Sequence, residues 1–201
     1  MDSFSIYFSP RPKRNAKHTV WNIHEAKRKL GENVCCNILF LHAILRCDTT
    51  SRVFGFGKAG VLKVYDKSEE FRNAASVFNR NAGEVTKDDI VDGGESVRQC
   101  LYKADTREGL DSLRVSKFAE KVAKSSSFVD PKELPPTSDA ARYHSLRVFL
   151  QIQQWKGNEE GMNPTDWGWE VVGGLLKPLK TNKPPAPDSL LRVIRFNCKK
   201  G

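Results

Sequence analysis

Apolar positions recur at three- and four-residue spacing along most of the chain, the periodicity of helices with one buried face. The most apolar segment runs from Asn33 to Cys47. Val34, Ile38, Leu41 and Leu45 share one helical face there, and Leu39, Phe40 and Ile44 fill others. A helix apolar nearly all round predicts a central, buried element. Before it, Asn22 is placed to cap a short helix through Leu30, with Gly31 as its stop. After it, a helix is predicted from about Lys58 to Tyr65. Ser68 then caps a helix with Phe71, Ala74, Ala75 and Phe78 on one face. Thr86 caps another, with Asp88 and Asp89 in the first turn, where the helix dipole favours acids. Gly93-Gly94 weakens that helix without ending it. Two longer helices follow. Leu110 to Lys124 aligns Val115, Phe118, Ala119 and Val122, and Ser138 to Trp155 aligns Tyr143, Leu146 and Leu150. The link from Asp130 to Pro136 is too rich in proline to be helical.

The pattern changes at both ends. Phe4 to Phe8 is a short β-like run, followed by a basic loop, Pro10 to Arg14, that reads as a solvated loop or a phosphate-binding arm. Trp167 to Leu179 reads as two short strands around a Gly173-Gly174 turn. Pro184 to Pro187 is a stiff spacer, and Leu190 to Phe196 suits a strand or a short helix. The expected fold is therefore mainly α. It is an array of about six or seven helices with a helix-two-turn-helix near residue 50 and a small C-terminal β-hairpin. The chain divides into a basic arm at 1–18, the helix-two-turn-helix region at 19–80, a helical region at 81–157, and a Trp-rich appendage with a basic tail at 158–201.

Composition narrows the function. With 39% hydrophobic and 28% charged residues in 201, the chain is neither membrane-spanning nor disordered by composition. A net charge of +9 favours phosphate-bearing partners, nucleic acid first, and no membrane partner is expected. Five cysteines without CxxC spacing argue against a disulfide framework and against a self-contained zinc module. Cys35 and Cys47, in the apolar segment, read as small buried hydrophobes. The first ten residues lack the basic-then-apolar pattern of an export signal, so an intracellular setting is expected, the nucleus ahead of the cytoplasm.

The candidate chemistry lies between Asp48 and Lys63. Asp48 follows the apolar segment directly and opens a polar turn. A carboxylate on a stiff platform suits a hard cation such as Mg²⁺. The plainer alternative is a turn cap, bonding backbone N–H groups two residues on. Gly55-Phe56-Gly57-Lys58 then sets two glycines and a lysine at a helix start. Glycines let backbone N–H groups approach a phosphate, and the helix N-terminus attracts the anion. Arg52 and Lys63 add charge nearby. Such a turn would clamp a sugar-phosphate backbone without reading bases.

Residues 19–66 resemble the flap endonuclease/XPG group of structure-specific 5′ nucleases, a PIN-like nuclease fold. Leu30-Gly31 ends a first helix, Asn37 to Leu45 supplies a buried second one, and Arg46-Cys47-Asp48 precedes Gly55-Phe56-Gly57-Lys58 in the family's order. The resemblance implies Asp48 as a metal ligand and Gly55, Gly57 and Lys58 as the clamp on the DNA backbone, where Arg52 and Lys63 are expected to join them by their charge. It also implies Mg²⁺ and a monovalent cation at the turn. Three departures stand out. Arg46 replaces the family's glycine, Lys58 comes one residue early, and the acids before Asp48 are Asp2, Glu25 and Glu32, none in an apolar strand. A two-metal site needs a cluster of carboxylates. The segments around Cys47–Arg52, Leu134–Ser138 and Trp167–Trp169 also resemble uncharacterised proteins associated with mobile elements.

Other constellations read plainly. His42 reads as a hydrogen-bonded core histidine, and His144 has no zinc-site spacing partner. Asp88, Asp89, Asp92 and Glu95 read as a dipole-complementing first turn rather than metal ligands. Arg142 and Arg147 with Trp155, Trp167 and Trp169 could stack on single-stranded bases, but the tryptophans read better as the cover of a small hairpin core. The expectation is a nuclease-like chain that binds DNA backbone non-specifically and has no catalytic residues sufficient for cleavage alone. The alternatives are part of an active Mg²⁺-dependent nuclease whose other acids lie elsewhere, or a helical protein-interaction module.

Overall fold

A computed structural model describes residues 5–11, 17–104, 109–124 and 129–183. The expected spacer at 184–187, the segment at 190–196 and Cys198 lie outside the described residues, as does most of the basic loop. Among the described residues there are eight α-helices and two two-stranded antiparallel sheets, the second a C-terminal hairpin. No helix among them is long and apolar enough to cross a membrane. The chain forms two compact units, residues 1–39 and residues 40–201.

In the first unit, strands β1 (Tyr7–Phe8) and β2 (Trp21–Asn22) pair with Tyr7 opposite Asn22. Helix α1 (Ile23–Leu30) starts where the Asn22 side chain accepts the Glu25 N–H, and ends at Gly31, whose φ of 80° favours glycine. Helix α2 (Glu32–Cys36) follows. The single helix expected over 33–47 is broken. Asn37 ends α2, donating its side-chain amide to the Asn33 carbonyl at 3.2 Å, and α3 (Ile38–Leu45) begins after it. Asparagine competes with the helix backbone in this way, and an apolar window average does not register it.

The second unit holds α4 (Lys58–Lys67), α5 (Glu69–Val77), α6 (Lys87–Tyr102), α7 (Leu110–Lys124), α8 (Ser138–Lys156), β3 (Trp169–Val172) and β4 (Leu175–Pro178). The caps are local and chemical. Ser68 accepts the Phe71 N–H, and Thr86 forms a reciprocal capping box with Asp89. Phe40, Phe78, Phe149 and Trp167 form an aromatic chain through the core, with ring centroids 4.5 to 6.5 Å apart in successive pairs.

The central helix is α8, where every residue from His144 to Gln153 is buried. The apolar pattern predicts the segment around α3 for that place. Yet α3 leaves Ile38 and His42 exposed. The reason is chemical: α8 buries His144, Ser145, Arg147, Gln151 and Gln153, polar groups that lower its apparent hydropathy. Packing against α6 is close. A Cβ at Gly94 would fall 1.9 Å from Ser145 Oγ and 2.7 Å from Ser145 Cβ.

Two expected faces differ. In α7, Leu110 and Leu113 are buried while Val115, Phe118 and Val122 are exposed. The hairpin has no tryptophan-covered core. Trp167 stacks on Phe149, and Val171, Leu175 and Leu176 face solvent. Arg147 ties the base of the hairpin to α8, donating to the carbonyls of Gly168 (2.8 Å) and Leu179 (2.6 Å).

Candidate functional site

The non-helical segment 46–57 joins α3 to α4. Thr50 holds its first half. Its hydroxyl accepts the Cys47 N–H at 3.0 Å and donates to the Ala43 carbonyl at 2.6 Å, and Thr49 bonds the Gln151 side chain. Asp48, the expected metal ligand with a turn cap as the plainer alternative, is exposed, and Thr50 closes the turn. Gly55, at φ 83°, makes the second turn. Gly57 is the N-cap of α4 and contributes no side-chain cap, so the first N–H groups of that helix lack a side-chain cap acceptor. Gly55, Gly57 and Gly60 each have open space where a Cβ would be.

Among the described residues two cavities border this segment. The second, of about 440 Å³, brings together His42, Arg46, Asp48, Lys58, Gln151 and Trp155. Here Lys58 Nζ donates to His42 Nδ1 at 3.0 Å, and the His42 ring stacks on Trp155 at 5.5 Å. Burial and the Lys58 ammonium push His42 below its usual range, partly opposed by Asp48. His42 is thus an exposed acceptor for a lysine, not a core histidine. Cys47, half-buried here, also departs from the buried hydrophobe expected of it. Burial raises its thiol, but hydrogen bonds with Thr49 and Thr50 outweigh that and hold it below the ordinary value.

The first cavity, of about 420 Å³, lies on another side of the turn and is lined by Arg52 and Phe54. Its deep wall carries Arg98 and Arg147, 1% and 4% exposed. Arg98 donates to the Gly94 carbonyl, to Ser145 Oγ (3.0 Å) and to His144 Nδ1 (2.6 Å). His144 Nε2 faces the Ser51 carbonyl at 2.9 Å. A carbonyl cannot donate and a guanidinium cannot accept, so His144 is the tautomer with its proton on Nε2. Burial first, then the Arg98 charge, pulls its pKa down to about 3. Burial lowers both arginines to about 10, so both remain charged at neutral pH.

The expected site residues are therefore divided. Asp48 and Lys58 share one cavity, Arg52 lines the other, Gly55 and Gly57 shape the turn between them, and Lys63 lines neither. Among the described residues no group of three or more His, Cys, Asp or Glu side chains is placed to hold a metal. Nothing in the sequence joins Arg98 to His144, which lie 46 positions apart. The one local signal was Gly94, four residues before Arg98, where a helix without a Cβ can accept a close neighbour. Comparison with family models, curated proteins and solved structures finds no match.

Proposed function

We propose that this chain grips the sugar-phosphate backbone of DNA through the 46–58 turn, without reading base sequence, and does not cut DNA by itself. The observation that carries the reading is the open start of α4. Gly57 supplies no side-chain cap, open space surrounds Gly55, Gly57 and Gly60, and Lys58 is exposed beside them. Free N–H groups and a lysine at a helix N-terminus suit a phosphate. The resemblance of residues 19–66 to flap endonucleases supports the same direction, with Arg52 and Lys63 as outlying backbone contacts. A DNA partner would favour the nucleus.

The residues present do not fit a two-metal site. Asp48 is the one carboxylate lining its cavity among the described residues, and Arg46 and Lys58 line the same cavity. Cations there oppose the binding of Mg²⁺. Flap or nicked DNA incubated with this chain and Mg²⁺ is expected to remain intact; Mg²⁺-dependent cleavage by the chain alone would refute this part. A protein-interaction role has one observation in its favour, the exposed Val115, Phe118 and Val122 on α7.

Lys58→Glu tests the clamp. Lys58 is exposed, so the variant is expected to fold. By fluorescence anisotropy on duplex DNA, it should bind more weakly, and its salt slope should shrink by about one. Equal affinity and equal slope in variant and wild type would remove the clamp.

A further inference from the structure

The first cavity shares Arg52 and Phe54 with the turn but not Lys58, and it gathers a set of cations of its own. Arg98 and Arg147 are both buried and line it, and among the described residues lining it there is no aspartate or glutamate. Buried charges are ordinarily paired. Glu95, whose charge Arg98 feels, does not line the cavity, and its Oε1 accepts the Leu110 N–H at 2.9 Å and the Ser138 hydroxyl at 3.4 Å. Arg147 has two carbonyl acceptors, but its buried Nε has no partner. Arg52, Arg114, Lys132 and Lys180 add positive charge around the same space. Of these, Lys132 is paired with Asp130 at 2.6 Å, and Arg114 donates to the Pro135 and Pro131 carbonyls.

The remaining walls are mostly apolar, from Val53, Phe54, Tyr102, Leu134 and Pro136. Phe54 is 41% exposed, with Lys132 Nζ 5.7 Å from its ring centroid. A volume of about 420 Å³ is that of a small-ligand pocket. Guanidinium groups at depth recognise a phosphate, and an accessible aromatic offers a face to a base.

We infer that this cavity binds a single nucleoside 5′-phosphate, its phosphate toward Arg98 and Arg147 and its base against Phe54. The source is a free nucleotide or the phosphorylated end of a DNA strand. The inference does not rest on the backbone clamp, because these arginines are buried and Lys58 lines a different cavity.

The test is calorimetric titration of the whole chain with AMP, adenosine, inorganic phosphate, succinate, and a short oligonucleotide with and without a 5′-phosphate. AMP should bind at least about tenfold more tightly than adenosine or succinate. Phe54→Ala should weaken AMP about tenfold and leave inorganic phosphate unchanged. Arg147→Met should abolish AMP and phosphate binding together. Should Arg147→Met fail to fold, Lys180→Glu, at an exposed position, should weaken AMP by a similar factor. In the Lys58→Glu background, which weakens the clamp, a 5′-phosphorylated oligonucleotide that binds more tightly than both AMP and its unphosphorylated twin makes the strand end the source; AMP binding alone makes it the free nucleotide. Either supports the site. No binding of AMP or phosphate to folded wild-type protein overturns it. So does a preference for succinate, or AMP affinity untouched by both Phe54→Ala and Lys180→Glu. Lys58→Glu should leave AMP affinity unchanged, so failure of the clamp and failure of this site are read separately.

Discussion

Gly94→Ala is expected to lower the stability of the helical unit by about 3 kcal/mol, at the upper end of what overpacking a core costs. The same exchange inside an open helix ordinarily stabilises by up to about 1 kcal/mol, because alanine loses less backbone freedom than glycine. The sign reverses at Gly94 because the new methyl would sit 1.9 Å from Ser145 Oγ and 2.7 Å from Ser145 Cβ. Rotating the hydroxyl relieves only the first clash; the second requires α6 and α8 to move apart. That movement would loosen the Arg98 bonds to Ser145 and His144. Gly60→Ala is the internal control, since open space surrounds Gly60 in α4. Urea unfolding should show Gly94→Ala destabilised and Gly60→Ala unchanged or more stable. Equal behaviour of the two would mean that α6 and α8 do not approach so closely.

Acidification should remove about 2 kcal/mol between pH 7 and pH 5 through His144 alone. Folded His144 has a pKa near 3, against 6.5 for the ordinary imidazole. Between those values the unfolded chain binds a proton that the folded chain refuses, so unfolding takes up a proton and stability falls as pH drops. The loss begins near pH 6.5 and continues toward pH 3, the sign opposite to that of a histidine held by a carboxylate. His144→Gln keeps an acceptor for Arg98 and a donor for Ser51 without a titrating ring. It should be less stable at pH 7 and show a shallower slope between pH 7 and 5. Parallel slopes in the two proteins would mean that His144 is not buried against Arg98.

What could be read from sequence was local chemistry. Asn22, Ser68 and Thr86 cap α1, α5 and α6 because each side chain reaches only three residues along the chain. Gly173-Gly174 marks the β3–β4 turn for a similarly local reason, positive φ at both residues. What could not be read was tertiary. Hydropathy ranks the segment around α3 above α8, yet α8 is central because its arginine, histidine and glutamines find partners from distant segments. The α7 residues Val115, Phe118 and Val122 have helical spacing, but spacing alone cannot say which face meets the core. Arg52 and Lys58 are six positions apart and read as one charge cluster. The turns at 48–55 send them to different cavities.

The division bears on the nuclease-like reading. A clamp built on Lys58 and the start of α4 needs neither Asp48 as a ligand nor Arg52 as a neighbour. It predicts binding governed by charge and by backbone N–H groups, which every DNA sequence presents alike.

The most direct measurement is the affinity of the wild-type chain for two duplexes of unrelated sequence across a salt series. The prediction is one common line, with log affinity falling steeply and linearly against log salt, as counterion release from several phosphates requires. Affinity that is absent, indifferent to salt, or different between the two duplexes would contradict a sequence-independent grip on the DNA backbone.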